Sequence, residues 1–254
     1  MNPRDPSYFQ AEGVTVKFLN AYQPIIDIRD STTYAYESLV RGAHGESALS
    51  VFRSAPRKLT SPLDQSIREA AISRAVNLGM ETRLTLNITS ECLISEEMHT
   101  LKTLEHAQKV GFPMERLIFE ISESDVIHGI PRLVDVLHRI HSTGATVALD
   151  DFGAGYAGLN SLIDVNPDII KLDMYLIRDI NRSGPRQATI RALVSLSDEL
   201  GIEIIAEGVE TLAEYEFLRE SGIYLYQGYL FAKPALCELP DAKFPTQSVL
   251  LLDV

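Results

Sequence analysis

The sequence predicts an α/β fold, a modified (β/α)8 barrel that opens with an antiparallel strand pair. Three observations carry this. One unit recurs along the chain: a helical stripe, a glycine stop, then a short apolar strand. The strands follow one another at about 20–35 residues, the spacing of βα units, and their number suits closure. No change of composition and no linker interrupts the chain, so residues 1–254 read as one domain.

The first third supplies the exception. YQPIIDI (22–28) and TTYAYESLV (32–40) are two strands joined by a short polar turn at Arg29-Asp30-Ser31, a hairpin. Ser61-Pro62-Leu63-Asp64 then gives an N-cap, a first-turn proline and an acid three residues after the cap. Leu63, Ile67, Ala70, Ala71 and Leu78 follow at helical spacing up to Gly79. RLTLN (83–87) is the next strand. Met98, Leu101, Leu104 and Val110 lead to RLIFE (116–120), and Leu133, Val134, Leu137 and Ile140 to TVALDD (146–151). DIIKLD (168–173) comes after a glycine-rich loop. A helix from Pro185 carrying Ile190, Leu193, Val194 and Leu200 stops at Gly201 before IEIIAE (202–207). A capping box from Thr211 to Glu214 starts the last helix, and YLYQG (224–228) holds the last strand.

The totals exclude several classes. Net charge is −12, which argues against binding a nucleic-acid polymer, since phosphate backbones require clustered Lys and Arg. A small phosphorylated ligand stays possible if cations are supplied locally. No apolar run reaches membrane-spanning length and no secretory signal is visible, so a cytoplasmic protein is expected. Cys92 and Cys237 lack metal-like or redox-like neighbours and read as buried, inert thiols.

The chemistry is concentrated where strands end. Asn87, Glu120, Asp150-Asp151, Lys171 with Asp173, Glu207 and Gln227 stand at or near the C-terminal ends of apolar strands. In a barrel those ends converge on the face that carries the active site. A single acid after a strand is usually a cap or a loop residue; five or six polar strand ends together make that coincidence hard to sustain. Carboxylates packed into one mouth repel by roughly several kcal/mol and need protons or cations to neutralise them. Oxygen ligands with an Asn carbonyl point to hard cations such as Mg²⁺ or Mn²⁺. His44, His99, His106, His128, His138 and His141 fall on predicted helices or loops and read as surface residues. Adjacent strand residues point to opposite sides, so Asp150 and Asp151 reach one site only where Phe152-Gly153-Ala154-Gly155 turns the chain. Such a pair can bridge two metals about 3.5–4 Å apart. The Asp-Phe-Gly triplet is not a kinase signature here, because the Gly-rich strand loop, strand lysine and His-Arg-Asp loop are all missing before it.

Eight ordered segments, YQPIID, YESLVR, LTLNIT, FEISESD, ALDDFGAGYAGL, IIKLD, AEGVET and QGYLFAKP, resemble the EAL-domain family from about residue 18 to about 238. The resemblance implies a TIM-type barrel and a metal-dependent phosphodiesterase. Such an enzyme opens cyclic di-GMP to linear pGpG and so ends a bacterial second-messenger signal. By position it implies Glu37, Asn87, Glu120, Asp150, Asp151 and Glu207 as ligands of two divalent cations, Mg²⁺ or Mn²⁺. Lys171, with Glu37 and Glu207, would be catalytic, holding the attacking water or stabilising charge on the phosphoryl oxygens. Gln227, Gln23, Pro24, Leu39, Arg41 and Glu210 would meet substrate, with Gln227 on it or on the metal's water and Arg41 on phosphate. Glu123 would order the Asp-Phe-Gly loop. Ser38 and Ser122 replace the family's usual alanine and threonine, and Ala154 replaces a threonine or serine. The resemblance also implies a homodimer. A sensory domain or regulatory protein outside this sequence would fit as a partner. The alternative is a catalytically silent cyclic di-GMP receptor or a protein-interaction module.

Overall fold

The computed structural model describes residues 4–95, 97–126, 130–155 and 158–245. His128 and the apolar segment QSVLLLDV (247–254) fall outside them. Strands β1 (Ser7–Ala11), β2 (Val14–Asp27) and β3 (Thr32–Gly42) come first, followed by helices α1 (Ala48–Arg53) and α2 (Thr60–Asn77). Next are β4 (Arg83–Asn87), α3 (Ser90–Ser95), α4 (Glu97–Val110), β5 (Leu117–Ser122), α5 (Glu123–Val126) and α6 (Ile130–Ser142). The remainder is β6 (Thr146–Phe152), α7 (Leu159–Val165), β7 (Ile169–Leu172), α8 (Met174–Ile177), α9 (Gly184–Leu200), β8 (Glu203–Ala206), α10 (Leu212–Glu220), β9 (Leu225–Tyr226) and β10 (Ala235–Leu236).

Strands β2 to β9 form a closed eight-stranded barrel. β3 to β9 pair in parallel, whereas β2 runs antiparallel to both of its neighbours, β3 and β9. The expected hairpin start is therefore the closing strand of the barrel. β1 and β10 extend the sheet by pairing with β2 from outside the ring.

Period-two alternation sorts the strand residues into two cores. Ile25, Ala35, Ile118, Ala148, Ile169, Ile205 and Leu225 fill the lumen. Tyr36, Leu84, Phe119, Leu149, Ile170 and Ile204 face the helices in the larger outer core. Both sets are buried, which is why the strands read as continuous apolar runs.

The structure differs from the sequence expectation at several points. α2 begins at Thr60, preceded by a 3₁₀ turn at Arg57–Leu59, and its N-cap Leu59 supplies no side-chain bond, so Ser61 is not the cap. Leu200 is exposed at the end of α9 rather than packed on its stripe. His99 is buried, its Nδ1 against Gln65 Oε1, so it is not a surface residue. Its helix α4 packs against α2 through polar groups as well as apolar ones, including Ser73 with His106 at 2.7 Å. The capping box at Thr211 and Glu214 is present as expected, and both cysteines are buried and unbridged.

Gly228 fixes one close approach. A Cβ there would lie 2.0 Å from the Val209 carbonyl oxygen and 2.5 Å from its nitrogen, both backbone atoms that cannot swing aside. Gly228→Ala is expected to destabilise the fold by about 3 kcal/mol, the upper range for overpacking, as measured by urea denaturation.

Candidate active site

Each polar residue of the barrel mouth stands one step of the strand pleat above a lumen residue. Glu37 follows Ala35 by two, Glu120 follows Ile118, Asp150 follows Ala148, Lys171 follows Ile169, Glu207 follows Ile205 and Gln227 follows Leu225. On the reversed strand β2, Gln23 precedes Ile25 by two and pairs with Glu37. On β4, Asn87 follows the buried Thr85 and pairs with Glu120. Alternation turns all eight side chains toward the barrel axis at the C-terminal end of the parallel strands.

They converge on the ammonium of Lys171, which is fully buried. Its Nζ lies 2.7 Å from Glu207, 2.8 Å from Glu120, 3.2 Å from Asp150 and 3.7 Å from Glu37. Gln227 donates to Glu37 at 2.6 Å, and Asn87 donates to Glu37 at 3.3 Å and to Glu120 at 3.2 Å. Gln23 donates to the Ala232 carbonyl at 3.0 Å and its own carbonyl faces Gln227 at 3.4 Å.

Four carboxylates thus surround one cation. Burial and the neighbouring acids push the Glu120 carboxyl up to about 8 against the pull of Lys171. Burial also raises Glu207 well above the ordinary carboxylate range. For Lys171 burial alone would lower the pKa, but the surrounding carboxylates outweigh it and hold the ammonium charged. Asp151, more exposed and at φ 56°, is pushed up to about 6 by loss of water and by Asp150 and Asp173. Asp173 itself caps α8 through Tyr175 N–H at 2.7 Å rather than joining the cluster.

Among the described residues no three His, Cys, Asp or Glu side chains stand close enough together to hold a metal ion. The acids are gathered on the lysine instead. Their chemistry nevertheless fits a hard divalent cation: the donors are carboxylate and amide oxygens, and one ammonium leaves the charge of the four surrounding carboxylates mostly unbalanced. Glu37, Asn87, Glu120, Asp150, Asp151 and Glu207 are the residues that would hold such ions.

Two cavities flank the cluster and share Glu37 and Leu39. The larger, of about 350 Å³, also takes in Arg41, Asn87, Asp64, Arg68 and Thr89. The smaller, of about 240 Å³, takes in Gln23, Glu207, Glu210, Gln227, Met174 and Tyr229. Arg41 donates at 2.8 Å to the Val40 carbonyl. Glu210 lies at the rim, bidentate to Arg178 at 2.7 and 3.1 Å. Pro24 is buried on the opposite side of β2 from Gln23 and lines neither cavity. Sequence reasoning missed Asp64 as a cavity residue. Its carboxylate, bound to Arg68 at 2.5 Å, accepts from Thr89 N–H at 3.1 Å and Oγ at 2.9 Å, next to Asn87. An acid and a base at i, i+4 on α2, the helix that precedes site strand β4, was the available signal.

Glu123 is buried at the start of α5, and its carboxylate accepts the N–H of Gly153 at 3.0 Å and of Gly158 at 2.5 Å. It thereby ties down both ends of the loop that follows Asp150 and Asp151. Glu123→Gln replaces one acceptor with a donor facing an N–H. Mn²⁺ affinity is expected to weaken about tenfold, as read by titration, with little loss of global stability.

The model of the EAL domain matches residues 13–234. The chain belongs to the EAL domain family. The blue light- and temperature-regulated antirepressor BluF of Escherichia coli is 31% identical over 227 residues, 89% of this chain and 56% of BluF. The cyclic di-GMP phosphodiesterase PdeR of the same organism is 37% identical over 157 residues, 61% of this chain and 23% of PdeR. This EAL chain thus spans about half or less of these curated relatives. Among solved structures, a standalone EAL protein from Vibrio cholerae O395 in its c-di-GMP-bound form superposes with TM-score 0.83 at 37% identity. That match covers 90% of this chain and 96% of the other. The manganese and cy-diGMP complex of Klebsiella pneumoniae BlrP1 superposes with TM-score 0.84 at 30% identity, covering 92% and 59%. Among the described residues no helix is long and apolar enough to cross a membrane.

Proposed function

We propose that this EAL domain hydrolyses one phosphodiester bond of cyclic di-GMP, giving linear pGpG, with two divalent cations, Mg²⁺ or Mn²⁺, at the barrel mouth. The observation that carries the reading is the convergence of Glu37, Glu120, Asp150 and Glu207 on buried Lys171 between two cavities. Relatives named cyclic di-GMP phosphodiesterases, and neighbours solved with cyclic di-GMP and manganese or calcium, support the substrate and the kind of cation.

Divalent cations at this site supply positive charge against the phosphoryl oxygens and make water more acidic. The chain's own groups do the rest. The Lys171 ammonium donates to the oxygen on which charge grows, from a fully buried position where a fixed donor is worth most. Gln227 and Asn87 fix the carboxylates of Glu37 and Glu120 through their amide N–H groups. Arg41 and Glu210, which line separate cavities, would meet different parts of the cyclic dinucleotide.

A homodimer is part of the proposal. Leu159 and Ile163 on α7 and Met174 and Tyr175 on α8 present exposed apolar surface beside the Asp-Phe-Gly loop, and sedimentation would give the mass of the assembly. A cytoplasmic location and control by a sensory domain or partner protein complete the reading. The likeness to BluF, named as an antirepressor, favours a second reading in which the barrel acts by protein contact.

The test is chromatography of cyclic di-GMP incubated with the protein and Mg²⁺ or Mn²⁺, with and without chelator. Appearance of pGpG only with metal supports the enzyme. Binding without product points to a receptor, and neither points to the protein-contact role.

A further inference from the structure

Glu214 is an acid that the site described above does not use. It is buried in the first turn of α10, and as a capping-box residue it needs only to receive the Thr211 N–H. It receives three. Oε2 accepts from Thr211 N–H at 3.0 Å and Glu210 N–H at 3.1 Å, while Oε1 accepts from Asp179 N–H at 3.0 Å. Asp179 belongs to a different segment, the connection that follows β7 and α8, and holds a left-handed φ of 54°. One carboxylate therefore joins the segment leaving Lys171 to the segment leaving Glu207.

Other contacts run between the same two segments. Arg178 grips Glu210 with two hydrogen bonds. Glu207 N–H donates to the Leu172 carbonyl at 3.2 Å. Gly208, at φ 63°, lies so close to Met174 that an added Cβ would stand 2.5 Å from the Met174 Cβ. Between them, Lys171 and Glu207 make the shortest charge contact of the cluster, 2.7 Å.

We infer that Glu214 is a positioning residue: its carboxylate staples the loops after β7 and β8 and so sets the spacing of Lys171 and Glu207 that metal binding and turnover require. The Arg178–Glu210 pair is the outer, partly exposed clasp of the same joint. The staple stays ionised inside the protein. Burial alone would raise its pKa, but the three backbone donors outweigh it and hold the carboxyl below its usual range. This inference rests on the proposed phosphodiesterase reading, and its test separates the two.

Glu214→Gln keeps one oxygen for the helix cap but sets an NH₂ group against an N–H across the joint. Thr211→Ala is the control. It removes the hydroxyl that caps Glu214 N–H at 3.3 Å and leaves the cross-loop tie intact. The two variants are compared by Mn²⁺ titration, by kcat and KM on cyclic di-GMP, and by thermal unfolding. Glu214→Gln is expected to weaken Mn²⁺ binding and lower kcat by about 10-fold or more, with KM little changed. Thr211→Ala is expected to lower the melting temperature alone. Equal losses in the two variants, or unchanged Mn²⁺ affinity and kcat in folded Glu214→Gln, would overturn the inference. If the unsubstituted protein shows no turnover, the phosphodiesterase reading fails, and Mn²⁺ affinity still decides the role of Glu214. Should Glu214→Gln not fold, Arg178→Gln cuts only the outer clasp, and unchanged Mn²⁺ affinity there overturns the inference while a measurable weakening supports it.

Discussion

Lys171→Met is expected to lower kcat by about 10²- to 10³-fold, the loss that follows removal of one preorganised, buried donor. KM should move far less, because on the proposed reading the ammonium would act where charge develops while Arg41 and the cavity walls would hold the ground state. The same change removes the cation that, among the described residues, alone contacts four carboxylates, since Lys171 Nζ contacts Glu37, Glu120, Asp150 and Glu207 alike. In metal-free buffer the variant should lose about 3–5 kcal/mol, or recover part of that by taking up protons. Added Mn²⁺ should restore its melting temperature without restoring kcat. A variant with unaltered kcat would remove Lys171 from the reaction.

Glu120→Gln has the opposite effect on stability. The replacement is nearly isosteric and removes an almost fully buried carboxylate, one of four that share a single ammonium. Activity is expected to fall by at least about 10²-fold with the loss of a charged oxygen donor. Stability without metal should rise. The sign follows from the pKa, which is about 8 in the folded protein against 4.5 for an ordinary glutamate. Across that interval the folded state holds a proton that the unfolded state has released, so stability falls as pH rises from 4.5 towards 8. Gln carries no such proton. The melting temperature of the variant should therefore equal that of the parent at pH 4 and exceed it increasingly towards about pH 8. Parallel melting curves at all pH values would show that the Glu120 charge is not under strain.

The fold and much of the mouth were legible in the sequence because both rest on period-two patterning. An apolar strand with both faces buried shows as a short continuous run, and its last inward residue is where polarity first appears: Asn87, Glu120, Asp150, Lys171 and Glu207. What stayed hidden depended on partners far away in the chain. β1 pairs with β2 across the two-residue turn Glu12-Gly13, both at positive φ. Glutamate is a poor sign of a turn that usually carries Asn or Asp, so SYFQA was not read as a strand. The closure of β2 against β9 involves only Ile26 with Tyr226 and Asp27 with Leu225. His99 looked exposed because its burial depends on Gln65 in another helix. Glu214 was visible as half of a capping box, while its bond to Asp179, 35 residues away, was not.

The central claim is that the acids of the barrel mouth hold divalent cations, and electron paramagnetic resonance titration with Mn²⁺ tests it most directly. Two bound ions per chain, lost or weakened in Glu120→Gln and Asp150→Asn, is the predicted result. Hydrolysis of cyclic di-GMP with no bound ion, or Mn²⁺ binding that neither substitution alters, would contradict it.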